Sequence, residues 1–278
     1  MEGLLRRVRA WLVRRGDPLV RMRVGARDLE MPLSHELPVY RAMLPLYDRE
    51  LPRIARLLHE VEPQFVMIDV GANIGDTAAL VTDAVANAAL LCVEGSDRYF
   101  EVLRNNVRRL GINAECVQAY CGDDGAATAV VGAERQGTGR LRAARGATPL
   151  PTRTLDDIVA ERPQFRRTTL LKIDTDGYDA KVLRGAVRLL RAAEPVLFFE
   201  FAADYLRDAG DDPSTIIPAL AALGYTHARL YTNDGVALGT FGTSDPALIA
   251  VAEGAAASGR ADYLDVLAWT FKWNTIFP

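Results

Sequence analysis

At 278 residues and 30.4 kDa the chain is long enough to bury a full core, as one large domain or one domain with an appendage. A net charge of −3, with 49% hydrophobic and 25% charged residues, excludes a disordered chain and a basic field that would recruit nucleic acid. Cys92, Cys116 and Cys121 are odd in number and unpaired by CxxC spacing, which argues against a disulfide framework or a zinc site. No apolar run approaches the roughly 18 residues of a membrane span. The start, "MEGLLRRVRAWLVRRG", lacks a signal-peptide core, so a cytoplasmic protein is expected.

Residues 1–62 are rich in arginine and helical periodicity, broken by several prolines. They read as an N-terminal helical cap over the domain formed by 63–278. Within the cap, residues 3–15 place Leu4, Leu5, Val8, Trp11 and Leu12 on one helical face among arginines. Such a stripe packs on the body or on a second copy in a homo-oligomer, or lies peripherally on an anionic membrane. From Phe65 onward, short apolar runs alternate with helical patterns, the signature of a doubly wound α/β sheet. Seven strands are predicted, at 65–70, 89–94, 115–120, 168–173, 195–201, 226–231 and 263–270. Helices are predicted at 75–86, 97–110, 178–192 and 213–223, with Ser96 capping the second and Gly111 ending it. Residues 122–150, rich in Gly, Ala and Arg, read as a hairpin or loop.

The first strand runs into "IDVGANIGDTA", residues 68–78. In open α/β sheets ligands bind at the carboxyl ends of strands, anchored by the first βα turn. Its spacing is G-x-x-x-G, between Gly71 and Gly75, not the G-x-G-x-x-G of dinucleotide sites, and Asp69 would repel a pyrophosphate. A cationic ligand such as S-adenosylmethionine suits it better, its carboxylate meeting the helix N-terminus. Gly71, Ala72, Asn73, Gly75, Asp76 and Thr77 then form the cradle. Glu94, with Gly95 and Ser96, ends the second strand where a carboxylate can accept from ribose hydroxyls. Cys121, Gly122 and Asp123 fall at the adenine edge.

These stretches resemble the FkbM-type family of S-adenosylmethionine-dependent methyltransferases. The resemblance rests on "MIDVGANIGDTAALV" (67–81), "VEGSDRYFEVLRNNV" (93–107), "TRTLDDIV" (152–159), "LLKIDTDGYDAKVLRGA" (170–186) and "PVLFFEF" (195–201), in family order. "YLDVLAWT" (263–270) resembles the last sheet strand. It implies a Rossmann-like class I methyltransferase fold with a mostly parallel sheet, and methyl transfer to a hydroxyl of a sugar or polyketide or to a carboxylate. The chain departs from the family at Glu94-Gly95, where "EP" is usual, and at "KIDTDGYD", where many members carry "KIDVEGAE".

A sugar hydroxyl needs help losing its proton. Asp174, at the end of the fourth strand, is the candidate base. With Asp176 or Glu200 it is also a candidate ligand set for Mg²⁺. Glu200, His35 and His227 are further candidates for the proton-transfer role. Asp176 has a competing reading as helix N-cap, and Asp179 reads as complementing the helix dipole. Tyr40, Arg41, Tyr47, Asp48 and Arg49 are candidates for one wall of an acceptor pocket. Arg135, Arg140, Arg142 and Arg145 are candidates for binding the phosphates of a nucleotide sugar or lipid-linked glycan. The expected activity is O-methylation of a glycan or secondary-metabolite hydroxyl. The alternatives are carboxyl methylation of a small acid, or a non-catalytic cofactor-binding subunit.

Overall fold

The computed structural model describes residues 2–44, 46–47, 49–123, 130–135, 138–143, 150–257 and 263–277. In chain order it runs α1 (Glu2–Arg14), β1 (Leu19–Val24), β2 (Arg27–Pro32), α2 (Leu37–Met43), α3 (Glu50–Val61), β3 (Val66–Val70), α4 (Asp76–Ala84), β4 (Ala89–Glu94) and α5 (Asp97–Leu110). Then come β5 (Ala114–Gln118), β6 (Tyr120–Cys121), β7 (Val130–Arg135), β8 (Thr138–Ala143), β9 (Thr152–Arg153), α6 (Leu155–Ala160), β10 (Leu170–Ile173), α7 (Asp179–Arg184) and α8 (Val187–Ala193). The chain continues through β11 (Val196–Phe201), α9 (Ala203–Asp208), α10 (Ile216–Ala222), β12 (Tyr225–Thr232), β13 (Ala237–Gly242), α11 (Pro246–Ala257) and β14 (Leu264–Thr270).

The central sheet has the order β13-β12-β14-β11-β10-β3-β4-β5, with β14 antiparallel between β11 and β12. It is a doubly wound, mostly parallel, Rossmann-like sheet. Eight strands form it, against the seven expected. The eighth, β13, is an edge strand of partly exposed residues without a clear apolar run, so it gave little pattern to read. Apolar clusters fill both faces. One gathers Leu171, Leu197, Phe199 and Val266 with α6 to α11, and the other gathers Met67, Leu90, Leu170, Phe198 and Trp269 with α3 to α5.

The N-terminal segment is not helical throughout. Residues 19–32 form an antiparallel hairpin, β1 with β2, because "LVRMRV" alternates with period two, not 3.6. Val24, Leu29 and Met31 from this hairpin, with Leu51, Ile54 and Leu58 from α3, enter the same cluster as the sheet residues Met67 and Leu90. The segment therefore shares the sheet's core. On α1, Val8 and Trp11 are half exposed, and Arg9 donates to the Leu33 carbonyl. No helix among the described residues is long and apolar enough to cross a membrane.

The predicted helix 178–192 is two helices, α7 and α8, broken at Gly185. A Cβ there would stand 2.1 Å from the Gly122 carbonyl oxygen, so the chain turns where it presses on that loop. Helix α5 matches its predicted bounds, with Ser96 accepting from the Tyr99 amide and Gly111 left-handed at its end.

Candidate active site

Period-two alternation builds the site. On the face covered by the N-terminal segment, the parallel strands carry apolar residues at their amino ends and charged ones at their carboxyl ends, and antiparallel β14 brings its amino end to the same edge. Lys172 pairs in register with Asp69, and Glu200 with Asp265. Lys172 Nζ lies 3.2 Å from Asp69 Oδ1 and 3.2 Å from Asp174 Oδ2. Burial opposes its charge, but Asp174, Asp69 and Asp76 outweigh it and hold the ammonium well above the ordinary lysine value. Asp69 is raised by burial despite Lys172, and neither of its oxygens has a hydrogen bond of good geometry. Their proximity is ionic.

Burial, and then Asp174, raises three other carboxyls: Glu200 well above its usual range, Asp265 to about 8 and Asp179 to about 6. Asp174 itself is half exposed at the crevice, with Glu200 in hydrogen-bonding reach.

Two clefts meet here. The smaller, about 490 Å³, is lined by Gly71, Asn73, Glu94, Gly95, Tyr120, Cys121, Thr175 and Tyr178 among others. The larger, about 1150 Å³, runs from Asp76 and Thr77 past Lys172 and Glu200 to His35, Glu36, Tyr40 and Tyr47. Both are walled by Gly71, Asn73, Asp174 and Asp176.

The smaller cleft lies where the sequence leads one to expect an adenosine. Glu94 ends β4 with Oε2 accepting from the Asn73 amide and Oε1 from the Ser96 amide, each at 2.8 Å. These bonds aim the carboxylate and leave lone pairs for ribose hydroxyls. Gly95 is pressed beneath Tyr120: a Cβ would lie 2.2 Å from the ring. That contact leaves no room for a side chain at position 95. Tyr178 buries a hydroxyl with no hydrogen-bond partner against this cleft, a donor suited to a purine edge. Gly71 and Ala72 donate their amides to the Val93 carbonyl, fixing the turn from which Asn73 and the start of α4 face the larger cleft.

Most of the predicted cradle is brought together. Gly71, Asn73, Asp76 and Thr77 line one cleft or both, while Ala72 and Gly75 shape the turn from behind. Ser96 is buried and structural, a cap and a donor to Glu94. Cys121 lines the smaller cleft, its thiol pushed up to about 12 by burial. Gly122 and Asp123 do not line it. Asp123 instead pairs with Arg184, whose two nitrogens grip one carboxylate oxygen at 2.8 and 3.0 Å. Tyr120, Thr175 and Tyr178 line this cleft and were missed. Tyr120 and Tyr178 read as ordinary apolar positions, and only their closeness to a strand end or to the Asp174 turn was a signal.

His35 reaches the larger cleft with both ring nitrogens engaged. Nδ1 accepts from the Leu37 amide at 3.1 Å, so Nε2 carries the proton and donates to Asn73 Oδ1 at 3.1 Å. A ring so committed positions Asn73, which sits left-handed at φ 48°, and has no lone pair left for a substrate proton. His227 lies near the amino end of β12, stacked on Trp269 and away from the clefts. Arg41 and Arg49 face a neighbouring recess beside Leu80. Asp48 and Arg145 lie outside the described residues, as do the side chains of Arg135, Arg140 and Arg142, whose backbone forms the β7–β8 hairpin.

Asp176 is not a helix cap. Helix α7 begins three residues later, and Asp179 holds the turn by accepting from Thr175 Oγ1 at 2.9 Å and from the Gly177 amide. Nor does the geometry support the Mg²⁺ reading. No group of three His, Cys, Asp or Glu among the described residues is arranged to hold a metal ion, and the cation beside Asp174 is Lys172.

The family model described as the methyltransferase FkbM domain matches residues 69–226, more than half the chain and the whole stretch from Asp69 through Glu94 and Asp174 to Glu200. The chain belongs to the FkbM methyltransferase family. It is an S-adenosylmethionine-dependent methyltransferase. No curated protein matches its sequence significantly. Among solved structures, an FkbM methyltransferase from Methylobacillus flagellatus aligns at 19% identity and TM-score 0.41, over 63% of this chain and 42% of that one. A precorrin-6y C5,15-methyltransferase from Geobacter metallireducens aligns at 12% and 0.41, over 74% and 80%. A SAM-dependent methyltransferase from Aquifex aeolicus aligns at 10% and 0.38, over 74% and 81%. The assignment of this FkbM-family chain rests on the family match, not on these distant likenesses.

Proposed function

We propose that this FkbM-family enzyme methylates a hydroxyl of a polyhydroxylated acceptor, a sugar or secondary metabolite. One observation carries the reading: the cleft of about 1150 Å³ adjoins the adenosine cleft at Asp174 and is walled by hydrogen-bonding side chains, among them Tyr40, Tyr205, Asn233 and Tyr263. When bound, S-adenosylmethionine supplies an electrophilic methyl group on a sulfonium. Asp174, half exposed at the junction, accepts the hydroxyl proton. Lys172 fixes that carboxylate in place, and Asn73, held by His35 and Glu94, sets the loop between the two ligands. Most of the rate comes from holding donor and acceptor in line.

Carboxyl methylation is the weaker reading, because the acceptor cleft is acidic and would repel an anionic acceptor. The test is calorimetric binding of S-adenosylhomocysteine, followed by mass spectrometry of methyl transfer to sugar acceptors. Folded protein that does not bind S-adenosylhomocysteine, or that methylates only carboxylates, overturns it.

A further inference from the structure

The acceptor cleft is more acidic than recognition of a neutral sugar requires. Glu36, Asp76, Asp174 and Asp176 all line it. Among the described residues the one cation on its wall is Lys172, already shared between Asp69 and Asp174. His35 is committed to the turn, its Nδ1 accepting from the Leu37 amide and its Nε2 facing Asn73 Oδ1. Glu200 supplies an independent observation: it lies on the same wall, 7% exposed, and its Oε1 has no hydrogen-bond partner. A buried polar atom left this way costs stability unless a ligand satisfies it.

Resting on the hydroxyl-methylation reading, we propose that the natural acceptor carries a protonated amine near the hydroxyl that is methylated, as in an amino sugar or aminocyclitol. The ammonium is held by the acidic wall, whose carboxylates favour its charged form. A protonated amine has no lone pair for methyl transfer, so the neighbouring hydroxyl is the nucleophile and the amine orients it. The hydroxyl oxygen bonds to the methyl carbon as the carbon–sulfur bond breaks and its electron pair leaves with sulfur. The hydroxyl proton passes to Asp174, and the amine keeps its own. The same wall rejects acceptors bearing phosphate or carboxylate.

The test uses the full chain saturated with S-adenosylhomocysteine and three probes that share a ring: methyl glucoside, its 2-amino-2-deoxy analogue and methyl glucuronoside. Calorimetry or ligand-observed NMR is expected to rank them ammonium, neutral, carboxylate. The amino sugar should be favoured roughly tenfold over the neutral one, about 1.4 kcal/mol, with the preference shrinking as salt rises. Asp176→Asn and Glu36→Gln should each reduce that preference, costing the amino sugar more affinity than the neutral glucoside. Equal binding of amino and neutral sugars, or an unchanged preference in both variants, overturns the inference and leaves the hydroxyl reading standing. Binding of none of the three while S-adenosylhomocysteine binds overturns both, as does methylation of the amino sugar on nitrogen when S-adenosylmethionine replaces it.

Discussion

The carbonyl oxygen of Asp174 occupies the place where a side chain on Gly71 would begin: a Cβ built on Gly71 falls 1.8 Å from it. The obstacle is backbone, held by the Asp174 amide's bond to the Val70 carbonyl at 3.0 Å, so it cannot swing aside. Gly71 also sits at φ +82°, outside the range an L side chain adopts easily. Gly71→Ala is expected to destabilise the fold by about 1–3 kcal/mol from backbone strain alone. It should also part the two turns that carry the donor and the base. Thermal unfolding should show the loss, and calorimetry should show weakened S-adenosylhomocysteine binding. A variant with unchanged melting and unchanged binding would mean the two turns are not tightly apposed.

Lys172 pairs with two carboxylates at once, one of them fully buried. Replacing it by methionine keeps the bulk and strands Asp69 in the core. Breaking such a buried pair costs about 3–5 kcal/mol where the stranded group stays charged. Without the ammonium, Asp69's carboxyl moves further up, so the folded state holds a proton that the unfolded chain releases. Stability of Lys172→Met is therefore lost as pH rises. Urea unfolding should show a larger deficit at pH 8 than at pH 5, and Lys172→Arg should recover much of it. A deficit that does not change with pH would show that Asp69 is not the group left stranded.

Asp265 bears on the pH dependence of the whole fold. Burial raises its carboxyl to about 8 from an ordinary 3.8. A raised folded value contributes stability that is complete below the unfolded value and is lost as pH climbs through the folded one. Between about pH 4 and pH 8 the native state thus loses stability with rising pH, by up to about 1.4 kcal/mol per unit. Asp265→Asn stays neutral throughout. Its unfolding midpoint should overtake the parent's as pH goes from 5 to 9. A residual slope remains, because Glu200 and Asp179 are raised as well. A variant no more stable than the parent at pH 9 would contradict a buried, neutral Asp265.

The sheet's central strands were legible because buried parallel strands are continuous apolar runs, and "FVMIDV" and "PVLFFEF" admit little else. Glu94 and Asp174 were legible because each closes such a run at the carboxyl end. What stayed hidden depended on distant partners. Nothing near Asp123 in sequence announces Arg184, and Asp176 looks like a cap until Asp179 is seen to hold the turn from inside. His35 looked like a free base because its commitment to Leu37 and Asn73 depends on backbone direction. The β1–β2 hairpin was obscured by arginines that make its exposed face resemble a helix's.

Asp174 is the residue on which hydroxyl chemistry depends. It stands at the junction of both clefts, paired to Lys172 at 3.2 Å, while burial and then the charge of Asp174 raise the carboxyl of Glu200 beside it. One carboxyl is thus exposed beside an ammonium and the other buried, and the exposed one is placed to take a proton. Asp174→Asn keeps the shape and removes the acceptor. Hydroxyl methylation should fall by about 10²- to 10⁴-fold in kcat, the usual worth of a general base, with KM for the methyl donor changed little. Glu200 loses the neighbouring charge in this variant, so its carboxyl should drop toward the normal range and the pH profile of residual activity should change shape. An acceptor already anionic would lose none of its rate. Full turnover of a hydroxyl acceptor by Asp174→Asn would place the base elsewhere, and an unchanged pH profile would separate Glu200 from Asp174.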